Sequence, residues 1–256
     1  LTILSLNLVE IQLKTTKTIQ MLDSYSNAMA TLYQSYRPPL HELLLKRVLK
    51  NQKFKKILDI GCGTGISSVA LTSYGSEVYG YDPSPSMILK AQEHSNTTCV
   101  HQLEKLPSQF DLVVFFGSLT YVDDVDFDRY QRYVKPKGYL LCCDFQVDYQ
   151  PVISKLSIIQ DTTSYDHAKN LASYEVHSYQ TISNDQYEVE FECSIDQLSH
   201  LLLSETTIQK SIQEVYDDPQ TSKHLRFALN TYFPEKQVKL IATLYYSYYI
   251  KVDEQH

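Results

Sequence analysis

The sequence predicts an α/β fold built on a doubly wound, mostly parallel sheet. Three observations predict it. Ile57-Leu58-Asp59-Ile60-Gly61-Cys62-Gly63-Thr64-Gly65 runs from a short apolar strand into a glycine turn, and Ile66–Leu71 continues with apolar residues at helical spacing. Strand-like and helix-like segments then alternate through residue 145, the pattern of parallel strands joined by crossover helices. Phe110–Phe116 is almost continuously apolar, as expected of a strand covered on both faces.

Composition narrows the class. The 256 residues, 43% hydrophobic and 21% charged, suit one globular domain with an elaborated cover. The net charge of −7 and the lack of a Lys/Arg run argue against a nucleic-acid partner, whose phosphates demand a basic surface. Five cysteines without a Cys-x-x-Cys pair suggest neither a disulfide framework nor a metal site, and favour a cytoplasmic location. No apolar run reaches the roughly 18 residues of a membrane span.

Taken in order, residues 1–22 read as an N-terminal extension, either an upstream segment outside the native chain or an amphipathic arm. Met21-Leu22-Asp23-Ser24-Tyr25 reads like a domain start, so the domain is assigned to residues 23–256. Residues 24–36 carry aromatic residues at helical spacing, and Arg37-Pro38-Pro39 stops that helix. A second helix follows over residues 40–49, with Leu43, Leu44, Val48 and Leu49 inward. Residues 77–82 form the second strand, and Ser84 or Ser86 can cap the helix after it. Residues 97–101 are the third strand and Phe110–Phe116 the fourth. A helix over 127–134, a turn at Pro136-Lys137-Gly138 and a fifth strand over 139–145 complete the alternating part. Cys142 and Cys143 point to opposite faces of that strand and belong to the core.

Residues 146–235 read as a cover over the substrate, with a C-terminal helical lid. Residues 174–181 and 186–193 alternate around Ser183-Asn184-Asp185 and predict a hairpin or paired strands. Ser194-Ile195-Asp196-Gln197 is a capping box, opening a helix with Leu198, Leu201 and Leu202 inward. Further helices fit 207–216 and 220–232, and residues 238–252 form a last, antiparallel strand.

The glycine turn limits its own ligand. A dinucleotide site needs glycine at position 66, which is Ile66, and a P-loop needs a lysine that Gly65-Ile66-Ser67 lacks. Asp59, two residues before the first glycine, is a poor neighbour for pyrophosphate but a good acceptor for an ammonium group. Asp82, 23 residues further on, ends the second strand, where an acid can accept hydrogen bonds from ribose hydroxyls. His167 is a candidate general base.

Asp-x-Gly-x-Gly-x-Gly, from Asp59 to Gly65, resembles motif I of class I S-adenosylmethionine-dependent methyltransferases. Asp82-x-Ser84-x-x-Met87, and Lys135-Pro136-x-Gly138 before an apolar strand, are similar to the same family. Tyr33-x-x-Tyr36-Arg37-Pro38-Pro39-Leu40 resembles the N-terminal segment of the trans-aconitate methyltransferase group. The resemblance implies a seven-stranded, Rossmann-like sheet with one antiparallel strand and an N-terminal helical cap over the cofactor S-adenosyl-L-methionine.

It implies cofactor contacts from Arg37 to the methionine carboxylate, from Asp59, Gly61, Gly63 and Gly65 in the loop, and from Asp82 to the ribose. Met87 would lie against adenine, and Gln102 with the Leu103 N–H would read its edge. Gly117 and Ser118 would sit near the transferred methyl, with Ser118 and Tyr121 as substrate walls and Tyr121 also a second candidate base. The expected partner is a small-molecule methyl acceptor, with a carboxylic acid as candidate. The alternatives are an RNA methyltransferase, a nicotinamide-dependent oxidoreductase and a non-catalytic S-adenosylmethionine-binding protein.

Overall fold

The computed structural model describes residues 38–160, 165–216 and 221–252. The first helix, α1 (Leu40–Leu49), buries Leu40, Leu44, Leu45 and Leu49. Leu43 was expected inside but is 40% exposed, because the buried stripe is phased from Leu40. Then come β1 (Phe54–Ile60), α2 (Ile66–Leu71), β2 (Gly75–Tyr81), α3 (Pro85–Ala91), β3 (Thr98–Val100), β4 (Phe110–Phe116) and α4 (Asp124–Gln131). The α4 helix starts earlier than its apolar spacing suggests, since the Asp123 side chain accepts from the Asp126 N–H at 2.8 Å and caps it. The chain continues through β5 (Val134–Val147), α5 (Gln150–Ile153), β6 (Tyr179–Ser194), α6 (Ile195–Ser204), α7 (Thr206–Tyr216), α8 (Thr221–Tyr232) and β7 (Gln237–Lys251).

The seven strands form one sheet in the order β3-β2-β1-β4-β5-β7-β6. Pairing is parallel from β3 through β5, and β7 runs antiparallel to both β5 and β6. The expected turn at 136–138 lies inside the long β5, where Lys137 takes φ +57°.

The expected hairpin is overturned. Residues 174–193 do not make a hairpin: β6 is a single 16-residue strand paired along its length with β7. The turn-forming trio Ser183-Asn184-Asp185 lies within that strand, just after an irregularity between Thr181 and Ser183. A long partner strand supplies the hydrogen bonds that would otherwise favour a turn there.

Both faces of the sheet are covered. One carries α1, α2 and the helices from α5 to α8 over Ile57, Val114, Leu141 and Cys143. The other carries α4 and the Leu171–Ser173 turn over Leu58, Val113, Leu140 and Cys142. The neighbours Cys142 and Cys143 thus face opposite layers. The capping box at Ser194 is present, and α6 buries Leu198, Leu201 and Leu202.

Candidate active site

Strand order reverses between β1 and β4, and open α/β sheets bind ligands in the crevice beyond the carboxyl ends of the strands at such a point. The chain leaves β1 through Gly61, Gly63 and Gly65, at φ +72°, +52° and +86°. Gly61 is pressed against the end of β4: a β-carbon there would lie 2.4 Å from Ser118 Cβ. Ser118 is buried and donates from Oγ to the Ile60 carbonyl at 2.5 Å, which ties the two strand ends together. Gly63 is different. A β-carbon there would meet nothing within 4 Å, so its bare backbone borders open space.

Asp82, just past β2, accepts from the Gly63 N–H at 3.0 Å and from the Ser84 N–H at 2.9 Å. Burial pushes its carboxyl pKa up, and these two bonds oppose the shift. Asp59 lies beneath the loop, fully buried, with Oδ2 accepting from Ser67 and Ser68 hydroxyls at 2.7 Å each. Its Oδ1 has no hydrogen-bond partner among the described residues. A buried acceptor with spare capacity and an uncovered stretch of backbone both fit a small cationic nucleoside.

Burial pushes the Asp59 pKa up from 3.8 to about 6, against the two serine bonds and aided by nearby Asp82. The folded form therefore holds this proton more tightly than the unfolded form. The associated stability is complete below the unfolded value and is lost as pH rises through about 6. At pH 8 the charged form costs on the order of 3 kcal/mol. Asp59→Asn is expected to raise the Tm of the ligand-free protein at pH 8 by roughly 6–12 °C, and by about half as much at pH 5, in thermal melts. A gain that is the same at both pH values would remove the charge from the explanation.

A second group of side chains stands beside the end of β4. Gly117 has φ +66°, and a β-carbon on it would lie 3.8 Å from both Asp144 Oδ1 and Tyr165 Oη. The Tyr165 hydroxyl has two acceptors at 2.7 Å, the Gly117 carbonyl and Asp144 Oδ2, and its single proton is shared between them. Burial and the Asp144 charge push the tyrosine pKa far up, so it stays a donor. Asp144 Oδ1 accepts from the Phe145 N–H at 2.6 Å and lies 3.2 Å from His167 Nδ1. With the histidine proton on Nδ1, donated to Asp144, the Nε2 lone pair is left to act as a base. The segment carrying these residues is strapped over the strand ends: Thr120 Oγ1 donates to the Asp166 carbonyl at 2.7 Å, and Lys169 Nζ to the Val122 carbonyl at 3.0 Å.

The other expected site residues fall as follows. Met87 is half-buried on the first turn of α3, and Gln102 is exposed before the Leu103–Lys105 turn. Leu103 is buried in the core, with its carbonyl accepting from the Tyr133 hydroxyl at 3.3 Å. Ser118 is committed to the Ile60 carbonyl rather than open as a wall. Tyr121 is 78% exposed, its ring 5.5 Å from that of Tyr165. Arg37 and the helix expected over 24–36 lie outside the described residues. Sequence reading missed Asp144 and Tyr165; an acid at the end of the fifth strand, level with Gly117, is the signal that was there to find.

The methyltransferase-domain family profile matches residues 32–193. The chain belongs to the methyltransferase-domain family. Within it, the fold is that of the class I S-adenosylmethionine-dependent methyltransferases, whose cofactor is S-adenosylmethionine. The ubiquinone biosynthesis O-methyltransferase of Azorhizobium caulinodans is 32% identical over 106 residues, covering 37% of this chain and 42% of the relative. That of Pseudomonas syringae pv. tomato is 33% identical over 117 residues, covering 39% and 50%. The chain spans about half the length of the curated relatives it matches. A solved structure from Anaeromyxobacter dehalogenans, assigned as a type II methyltransferase, superposes with a TM-score of 0.58 at 16% identity. It covers 85% of this chain and 98% of its own, a likeness of fold. Among the described residues of this methyltransferase-domain chain, no helix is long and apolar enough to cross a membrane.

Proposed function

We propose that this chain transfers a methyl group from S-adenosylmethionine to a hydroxyl group of a small molecule. The observation that carries the reading is the His167–Asp144 pair, held by Tyr165 against Gly117, next to the glycine loop. When bound, the cofactor supplies an electrophilic methyl on a cationic sulfur. Asp82 would hold its ribose hydroxyls through the lone pairs that Gly63 and Ser84 leave free, and Gly63 would cradle it with bare backbone. Asp59 would supply negative charge from below. His167 Nε2 takes the proton from the acceptor hydroxyl, Asp144 stabilises the imidazolium that results, and Tyr165 keeps Asp144 in place. Positioning does most of the remaining work.

A hydroxyl fits these residues better than the carboxylic acid that the N-terminal resemblance suggests. A carboxylate needs no base, which would leave the histidine pair idle, and it would be repelled by Asp144. Glu188, Glu190 and Glu192 on β6 and a net charge of −7 likewise disfavour RNA. The names of the relatives, O-methyltransferases, support the same choice of atom. Residues 165–174 would be the part of the 146–235 cover that meets the acceptor.

The test is label transfer from methyl-tritiated S-adenosylmethionine to catechol, benzoate, an aliphatic amine and bulk tRNA. Label is expected in catechol. Label in benzoate or tRNA, with none in catechol, would replace this reading. Retained S-adenosylhomocysteine binding with no label anywhere would favour a non-catalytic binder.

A further inference from the structure

A cavity of about 300 Å³ lies against Asp144, on the side of that residue where β5, β7 and β6 run together. Strand register builds its floor from two rows of side chains. Cys142, Ser247 and Asn184 make one row; Asp144, Tyr245 and Gln186 make the other. The strap Ala168–Lys169–Asn170 forms the opposite wall.

The strap is tied to the first row. Cys142 Sγ donates to the Lys169 carbonyl at 3.7 Å, and the Leu171 N–H donates to Ser247 Oγ at 3.1 Å. The charges around the cavity are also largely engaged. Lys169 Nζ donates to the Val122 carbonyl and stands 4.9 Å from the Tyr174 ring. Asp144 is held by the Phe145 N–H, His167 and Tyr165. Asp185 Oδ1 accepts from the Gln186 N–H at 2.8 Å.

Two carboxamides, of Asn184 and Gln186, and the phenol of Tyr245 remain. Among the described residues none of these three side chains makes a hydrogen bond, and each can both donate and accept. An apolar occupant would strip water from these groups and return nothing. An anion would face the Asp144 carboxylate. A cation would find only the Asp144 carboxylate, which the Phe145 N–H, Tyr165 and His167 already hold. A group bearing several neutral hydroxyls answers every one of the free donors and acceptors.

We propose that this cavity is a subsite for a neutral polyhydroxylated group, a sugar or polyol, carried by the methyl acceptor. Its place next to the acceptor hydroxyl rests on the methyl-transfer reading; its existence as a polyol site does not. The subsite selects hydroxyl-rich acceptors through Asn184, Gln186 and Tyr245, none of which takes part in holding the cofactor or moving the proton.

The experiment is saturation-transfer NMR on the S-adenosylhomocysteine-loaded protein. The probes are D-glucose and myo-inositol, with cyclohexanol, ethanolamine and succinate as comparators. Asn184→Ala/Gln186→Ala is the variant, on an exposed edge strand where truncation leaves the core untouched. Saturation transfer to a polyol is expected in the native chain, and titration should show its affinity falling about tenfold in the variant. S-adenosylhomocysteine affinity, read by calorimetry, should not change. The proposal is overturned if neither polyol binds, if the variant binds as well as the native chain, or if a comparator binds better than both polyols. Failure of the native chain to bind S-adenosylhomocysteine would instead strike the methyl-transfer reading, and unloaded protein would then serve for the polyol titration.

Discussion

His167→Gln is expected to lower kcat for a hydroxyl acceptor by about 10²–10⁴-fold, the usual contribution of a positioned general base. Glutamine is the informative replacement. Its amide can still donate to Asp144 Oδ1, so the strap keeps its anchor, but it cannot accept the proton. The native side chain is 28% exposed and its ring lies 4.5 Å from that of Tyr165, so the substitution should cost about 1 kcal/mol of stability, too little to unfold the chain. Two readouts separate loss of a base from loss of shape. S-adenosylhomocysteine affinity should stay within about twofold of native, because no cofactor group relies on this residue. The rise of kcat/KM with pH that a histidine base imposes should flatten. Full activity with an unaltered pH profile would take His167 out of the mechanism and leave Asp144 to be explained.

Gly61→Ala should cost roughly 2–5 kcal/mol of folding stability, combining backbone strain with overpacking. Its φ of +72° is disfavoured for alanine. The new methyl would also stand 2.4 Å from Ser118 Cβ and 3.0 Å from Ser118 Oγ. Ser118 cannot rotate away freely, since its hydroxyl is bound to the Ile60 carbonyl at 2.5 Å. Gly63→Ala provides the contrast. Its φ of +52° carries a strain of about 1 kcal/mol, but the methyl meets nothing. That variant should fold and yet lose S-adenosylhomocysteine binding, because the methyl occupies the space the ligand needs. Urea denaturation and calorimetry on the two variants give the comparison. If Gly63→Ala binds as tightly as native, the loop is not the cradle.

The fold from β1 through β5 could be read from sequence because its signals are local. The run Phe110–Phe116 is apolar because both faces of β4 are covered, and its bounds match the apolar run. The glycine loop declares itself by residue type. The late strands were harder, since β6 is defined by partners 43 to 72 residues away and carries turn-forming residues in mid-strand. Asp144 and Tyr165 are 21 residues apart, and neither stands in a motif. Only the folding of the strap across β4 and β5 brings them to His167. Asp59 and Ser118 show the opposite limit: sequence placed them at the right end of the sheet but could not show that both are turned inward, onto Ser67, Ser68 and Ile60.

The irregularity in β6 between Thr181 and Ser183 has a reach far beyond its own position. Thr181 pairs with Tyr249 and Ser183 with Tyr248, so Ile182 is a supernumerary residue. Side chains alternate along a strand, so one surplus residue exchanges inward and outward for all that follow. With it, Phe191 and Cys193 point into the helical layer and Glu188, Glu190 and Glu192 into water. If Ile182 instead paired in line with Tyr248, every later residue would slip by one, the three glutamates would be driven under α6 and the two apolar side chains turned out. The polarity of this whole edge of the molecule is therefore set by a count, odd or even, and Ile182 decides which.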